Sequence, residues 1–271
     1  MLDIRSLGIS FGGIKALQQL DLSVGPSDIV GLIGPNGAGK TTAFNLVTGI
    51  YPPSTGIVTL GGRQISGLLP HQVTRAGVSR TFQNIRLFKN LTVLENVLVA
   101  QHPQVRYGIA TALLRRTGFH LSEAKLEKDA LELLDLMGLL PRAREQACNL
   151  PYGDQRRLEI ARALASGPKP VLLDEPAAGM NSAEGAKLME LIRFIRDRFK
   201  VGIVLIEHDM KVVMGVCDRV LVLDHGCPIA EGTPEEIQKN PAVIEAYLGK
   251  REDQAPIRTK PAAPGAAGAP A

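Results

Sequence analysis

Gly34-Pro35-Asn36-Gly37-Ala38-Gly39-Lys40-Thr41 is the stretch on which the reading of this chain turns. It has the P-loop spacing, a glycine and four variable residues ahead of Gly-Lys-Thr, and it follows the apolar run Ile29-Val30-Gly31-Leu32-Ile33. A helix is predicted to begin near Gly39 and run to about Val47. The glycines let the backbone turn its N–H groups inward, and the helix N-terminus adds a favourable dipole, so the loop suits a phosphate chain. Lys40 is placed to reach β- and γ-phosphates, and Thr41 to offer a hydroxyl to Mg²⁺. Gly34, Pro35, Asn36, Gly37, Ala38, Gly39, Lys40, Thr41 and Thr42 are therefore the candidate ATP contacts. An accidental glycine-rich turn would have no reason to sit between a buried strand and a helix start.

The second half of the site is expected at Val171-Leu172-Leu173-Asp174-Glu175. A carboxylate closing an apolar strand is costly to leave unpaired, so Asp174 is read as holding Mg²⁺, directly or through water. Glu175 then faces the γ-phosphate and is the candidate general base for the attacking water. An Asp-Glu pair alone would read as a helix cap or a solvated turn, but that reading leaves the P-loop unexplained.

Outward from these motifs, strands are predicted over 2–10, 20–24, 29–33, 57–60, 78–82, 170–174, 202–206 and 219–223, and helices over 71–76, 183–199 and 209–216. Strands alternating with helices imply an α/β fold with a mainly parallel sheet, preceded by short N-terminal strands. Between Leu91 and Ala165 the spacing turns helical, as in Leu126, Ala130, Leu133, Leu134 and Met137. This predicts a helical subdomain of about 84–165 inserted in a single domain of 1–250. Residues 251–271, rich in Pro, Ala and Gly, are expected to form a disordered tail.

Of 271 residues 45% are hydrophobic, enough for a substantial core. About half of the net charge of +4 comes from residues 250–271, where Lys250, Arg251, Arg258 and Lys260 outnumber Glu252 and Asp253. The rest is nearly balanced, which argues against a nucleic-acid partner. Cys148, Cys217 and Cys227 lack metal-ligand spacing and are expected to be free packing residues. No apolar signal core opens the chain, so export is not indicated. Residues 41–62 carry no charge, yet Gly49, Pro52, Pro53, Gly56 and Asn45 exclude a membrane span.

Leu150-Pro151-Tyr152-Gly153-Asp154-Gln155, followed by Arg156-Arg157-Leu158-Glu159-Ile160-Ala161-Arg162-Ala163-Leu164, resembles the signature segment of the ABC ATPase family. With the two phosphate motifs the resemblance covers about residues 1–250. It implies an ABC ATPase core with an N-terminal antiparallel β subdomain, and ATP hydrolysis with Mg²⁺. It implies that Phe11 stacks on adenine, that Gln83 contacts Mg²⁺ and the attacking water, and that His208 hydrogen-bonds the γ-phosphate. Pro151, Tyr152, Gly153 and Asp154 would then face the ATP of an opposing subunit. Taken alone, Phe11 would read as a packing residue and His208 as structural.

Arg80-Thr81-Phe82-Gln83-Asn84-Ile85-Arg86-Leu87-Phe88, Ala177-Ala178-Gly179-Met180-Asn181 and the closing Ala246-Tyr247-Leu248-Gly249 are similar to the G-type ATPase of high-affinity branched-chain amino-acid importers. That branch implies an F-type ATPase partner, two transmembrane permease subunits fed by a periplasmic binding protein, and a peripheral place on the cytoplasmic face of the bacterial inner membrane. An importer of an amide, urea or another amino acid, or a soluble ABC-type regulatory ATPase, is the alternative. ABC proteins acting on ribosomes or DNA usually carry two cassettes or a long coiled-coil insertion, and neither is present.

Three residues depart from the wider family. Pro151 stands in place of a serine whose hydroxyl meets the γ-phosphate, Asp154 in place of a glutamine and Asn181 in place of an aspartate. If Asp154 pointed at that phosphate, each like-charge pair would cost about 4 kcal/mol at ~4 Å and an effective dielectric near ~20. It is therefore expected to turn outward, toward its own helix N-terminus. Gln83, Leu87, Phe88 and Leu91 are the candidates for carrying motion to a permease.

Overall fold

The computed structural model describes residues 1–102 and 117–248, so the tail expected from 251 lies outside the described residues. β1 (Leu2–Phe11) and β2 (Ile14–Val24) form an antiparallel hairpin ahead of β3 (Ile29–Ile33) and α1 (Lys40–Val47). β4 (Thr55–Leu60) and β5 (Arg63–Gln64) complete a four-stranded sheet in the order β2-β1-β4-β5. After α2 (Pro70–Ala76) and the short β6 (Ser79–Arg80) come α3 (Val93–Ala100), α4 (Thr117–Leu136) and α5 (Tyr152–Ala165). The chain then alternates through β7 (Pro170–Asp174), α6 (Ser182–Phe199), β8 (Gly202–Ile206), α7 (Met210–Val216), β9 (Arg219–Asp224) and β10 (Cys227–Gly232), and ends in α8 (Pro234–Lys239) and α9 (Pro241–Leu248).

The second sheet has the order β10-β9-β3-β8-β7-β6 and is parallel except for β10, which pairs antiparallel with β9. Every residue of β3, β7 and β8 is buried, the pattern of strands covered on both faces. Alternation along β3 shows how: Ile29 and Ile33 join the core built with α5 and α6, whereas Val30 and Leu32 join the core under the N-terminal sheet. One five-residue strand thus serves two apolar layers, and its C-terminal end is held rigidly where the phosphate loop begins.

Several boundaries differ from expectation for local reasons. β2 starts at Ile14 rather than 20, because register shifts let it follow β1 along its whole length. β6 stops at Arg80 rather than 82, because the Phe82 amide donates to the Glu159 carboxylate instead of to a strand. β10 went unforeseen; a hairpin turn at His225-Gly226, both at positive φ, leads into it. Residues 41–62 divide between α1, a turn and β4, and no helix among the described residues is long and apolar enough to cross a membrane. The packing role expected for all three cysteines is corrected for one: Cys148 is exposed within the turn 147–149, while Cys217 is buried and its thiol is pushed up to about 12 by desolvation.

Candidate functional site

A cavity of 1140 Å³ lies at the C-terminal ends of β3, β7 and β8, lined by loop residues 36–42 together with Gln83, Glu175 and His208. Open α/β sheets place ligands at this edge, outside the carboxyl ends of the strands. The loop is held from below. Gly34 is buried at φ 148, and a Cβ there would lie 2.1 Å from the Leu223 carbonyl oxygen, so only glycine passes. Gly39 turns into α1 at φ 100, also in the left-handed region. Lys40 Nζ donates to the carbonyls of Gly34 (2.7 Å) and Pro35 (2.8 Å). Burial lowers the pKa of this ammonium, against the opposing pull of Glu175 and Asp174.

Glu175 sits one residue past β7 in the left-handed region (φ 47), an uncommon and strained place for a non-glycine residue. Both its oxygens are engaged: Gln83 Nε2 donates to Oε2 at 2.7 Å, and His208 Nε2 lies 3.0 Å from Oε1. Three expected residues from three segments therefore meet at one carboxylate. Asp174 is buried behind them, its Oδ2 taking a 2.6 Å ion pair from Arg80 Nη2 and its amide donating to the Thr81 hydroxyl. Arg80 also donates to Asn45 Oδ1 at 2.7 Å and lies between the rings of Phe44 and Phe82.

Phe11 and the signature residues lie elsewhere. Phe11 is exposed at the end of β1 and meets Tyr51 edge to face at 5.3 Å, outside the residues lining the cavity. Pro151 is the N-cap of α5, with Tyr152, Gly153 and Asp154 in its first turn. The Asp154 carboxylate stands in the first turn of its own helix, as anticipated, and two arginines pair with it there. It is held between Arg157 Nη2 (2.8 Å) and Arg142 Nε (3.4 Å), so two guanidinium groups draw it sideways. Asn181 accepts from the amides of Ala183 and Glu184 and caps α6 in a reciprocal capping box.

Sequence reasoning missed the polar scaffold behind these groups. Arg156 and Glu159, three apart on α5, form a buried 2.7 Å ion pair that grips the segment bearing Gln83. Glu159 accepts from the amides of Phe82 and Arg86, and Arg156 donates to the carbonyls of Phe82 and Gln83. Burial pushes the Glu159 carboxyl above its usual range in spite of these partners. The one available signal was a Glu among the apolar residues Leu158, Ile160 and Ala161.

Glu207, beside His208, is buried and accepts from the amides of Ala177 (2.6 Å) and His208 (3.2 Å). Desolvation raises its pKa, the Glu175 charge adds to the rise, and the backbone donors oppose it. The unfolded chain thus releases this proton at lower pH than the folded one, and the stability the group contributes is lost as pH rises from the ordinary glutamate range through the raised folded value. The stability of the natural chain relative to Glu207→Gln is expected to fall across that window in urea unfolding at stepped pH. A difference that stays flat with pH contradicts it.

A parallel sheet with a glycine-rich loop at the end of β3, a lysine opening the next helix with its ammonium folded back on that loop, and a carboxylate held by Gln and His define a P-loop nucleotide hydrolase. A family model described as "ABC transporter" matches residues 17–178, and the chain belongs to that family as an ATP-binding, ATP-hydrolysing subunit. A second, described as "Branched-chain amino acid ATP-binding cassette transporter", matches residues 227–253. The chain is 50% identical over 92% of its length and 98% of the relative's to the high-affinity branched-chain amino acid transport ATP-binding protein LivG of Salmonella typhimurium. It is 46% identical, with the same coverage, to the corresponding protein BraF of Pseudomonas aeruginosa. The ADP conformation of MJ1267, an ATP-binding cassette of an ABC transporter, superposes with a TM-score of 0.79 at 28% identity, covering 92% of this chain and 99% of that one.

Proposed function

We propose that this chain binds Mg-ATP in the cavity above β3 and hydrolyses it to drive a membrane importer of branched-chain amino acids. The observation that carries the hydrolytic reading is the Glu175 carboxylate, held at 2.7 Å by Gln83 and 3.0 Å by His208 on the wall facing the lysine loop. The solute class is supported by the resemblance to LivG and BraF.

In this reading the amides of residues 36–42 and the Lys40 ammonium hold the phosphates, Glu175 takes the proton of the attacking water, and His208 meets the γ-phosphate. Phe11, backed by Tyr51, offers its exposed ring to adenine. A hydroxyl, an amide oxygen and a carboxylate are hard oxygen donors that suit Mg²⁺, so Thr41, Gln83 and Asp174 fit it as ligands. When bound, the ion neutralises charge on the phosphates. Pro151 to Asp154 face the ATP of a second ATPase subunit, an F-type partner. Asp154 is paired with Arg142 and Arg157, which offset its charge, and in this reading backbone amides from Gly153 onward do the binding.

In this reading the domain occupies residues 1–250, with about 84–165 as its inserted helical part; it lies peripherally on the cytoplasmic face of the inner membrane, and two transmembrane permease subunits receive its motion. A groove of 700 Å³ lined by Phe82, Leu87, Phe88, Val99 and Arg162 is the docking place, with Phe88 exposed and Arg162 stacked on its ring at 4.9 Å. Leu91, also a candidate, is absent from its lining. In vesicles carrying the permeases and binding protein, Phe88→Asp is expected to abolish ATP-driven leucine uptake while hydrolysis continues. Unimpaired uptake, or an unfolded variant, overturns the docking assignment, and failure of the natural chain to drive uptake of any branched-chain amino acid overturns the solute class.

A further inference from the structure

We infer that Tyr152 and Arg156 form a relay inside one chain, through which the signature turn sets the position of this chain's own Gln83 and Glu175. The inference rests on the two-subunit reading above, in which that turn touches the opposing subunit's ATP.

The two residues stand one turn apart on α5, so their side chains share a face. Arg156 is fully buried and is among the bulkiest fully buried side chains of the described residues. Its Nη1 donates to the Phe82 carbonyl (2.9 Å) and to Glu159 (2.7 Å). Its Nη2, with two protons, donates one to the Gln83 carbonyl (3.0 Å) and shares the other, in longer contacts, between the Tyr152 hydroxyl (3.4 Å) and the Glu175 carbonyl (3.5 Å). Glu159 alone would satisfy the charge. The guanidinium instead gathers main-chain carbonyls from the two segments that carry Gln83 and Glu175, whose side chains meet inside the cavity. A guanidinium is a rigid planar fork, so these acceptors move with α5 or lose charge-assisted hydrogen bonds.

Tyr152 extends the fork outward to the signature turn. Its hydroxyl donates to the Ala178 carbonyl at 2.9 Å while receiving from Arg156, and a Cβ on Gly179 would lie 3.7 Å from the edge of its ring. The phenol thus joins the first turn of α5 to the loop that follows Glu175. Packing against Gly179 needs only the ring. The hydroxyl is what links Ala178, Arg156 and, through Arg156, the main chain of Glu175. A displacement of the signature turn by the opposing nucleotide therefore reaches the general base through two side chains, and Tyr152 and Arg156 act as positioning residues.

Tyr152→Phe keeps the ring and removes the link. In the assembled transporter, the rate of hydrolysis against ATP concentration is expected to be sigmoidal for the natural chain, with a Hill coefficient approaching about 2 for two sites, and to drop to about 1 in the variant. A variant that loses rate but keeps its sigmoidal response has a structural defect only, and this overturns the relay. A natural chain that is already hyperbolic overturns the two-subunit reading and the relay together. Amide hydrogen exchange on the full chain without nucleotide gives a readout independent of turnover. Arg156→Lys is expected to raise exchange at residues 83–86 and 175–178 along with 152–155, and a response confined to 152–155 overturns the relay. If Arg156→Lys does not fold, Tyr152→Phe decides by the same measurement, with increased exchange expected at 178–180 and at 175–177, and increase at 178–180 alone counting against it.

Discussion

Glu175→Gln is expected to lower ATP turnover by about 10²- to 10⁴-fold, the range a positioned general base contributes, while leaving nucleotide binding in place. The side chain is only 16% exposed and is fixed from both sides, so an isosteric amide is the substitution that disturbs the site least. A glutamine oxygen can still accept from Gln83 Nε2, as Oε2 now does at 2.7 Å. Its NH₂ group can donate to His208 Nε2, which lies 3.0 Å from Oε1, in the tautomer where that nitrogen carries no proton. What disappears is basicity, with charge removed and shape kept. Lys40 and the loop amides are untouched, so the phosphates should bind as before. Single-turnover phosphate release and nucleotide titration on the same preparation separate the two effects. Turnover at the natural rate would remove Glu175 from the chemistry, and loss of nucleotide affinity would make it a binding residue instead.

The contrast between what could and could not be read beforehand follows from the range of the interactions. The loop 34–41 was legible because its chemistry is contiguous: backbone amides, a lysine and a hydroxyl residue belong to one turn between β3 and α1. The runs of β3, β7 and β8 were legible because strands covered on both faces must be apolar throughout. The meeting of Gln83, Glu175 and His208 was implied by resemblance, since nothing local says that positions 33 and 92 residues from Glu175 share its carboxylate. The scaffold was illegible for a related reason. Arg156 and Glu159 look like a solvated helical ion pair, and only the segment from Phe82 to Arg86 lying across α5 buries them. Asp154 is expected from sequence to be balanced by its own helix N-terminus, and what could not be read is that Arg157 and Arg142, the latter from the turn 140–142 ahead of the helix, also pair with it. Conversely β10, with Pro228 and Gly232 in it, carries little strand character of its own and is defined by its pairing with β9.

Arg80→Met should be strongly destabilising, because it strands a charge rather than deleting a contact. Arg80 and Asp174 are 94 residues apart in sequence and pair at 2.6 Å, with side chains 5% and 4% exposed. Removing one partner of a buried pair leaves the other unsolvated and unmatched, a loss of about 3–5 kcal/mol. The environment adds to the effect. Arg80 lies over the Phe44 ring at 5.3 Å and the Phe82 ring at 5.1 Å, so the guanidinium also ties α1 to the segment bearing Gln83. Met fills similar volume and keeps the apolar part of these contacts, which confines the loss to the charge and its hydrogen bonds to Asp174 and Asn45. Urea unfolding of Arg80→Met, Asp174→Asn and the double variant distinguishes the causes. If the stranded carboxylate dominates, the double variant is expected to recover most of the loss seen in Arg80→Met. If the double variant is as unstable as the sum of the singles, the two residues are not coupled and the ion pair is not what secures the end of β7. The same set bears on the proposed metal site: with Oδ2 committed to Arg80, only Oδ1 of Asp174 would be left for Mg²⁺ or its water, so under that proposal one guanidinium would serve both the strand end and the placing of a ligand.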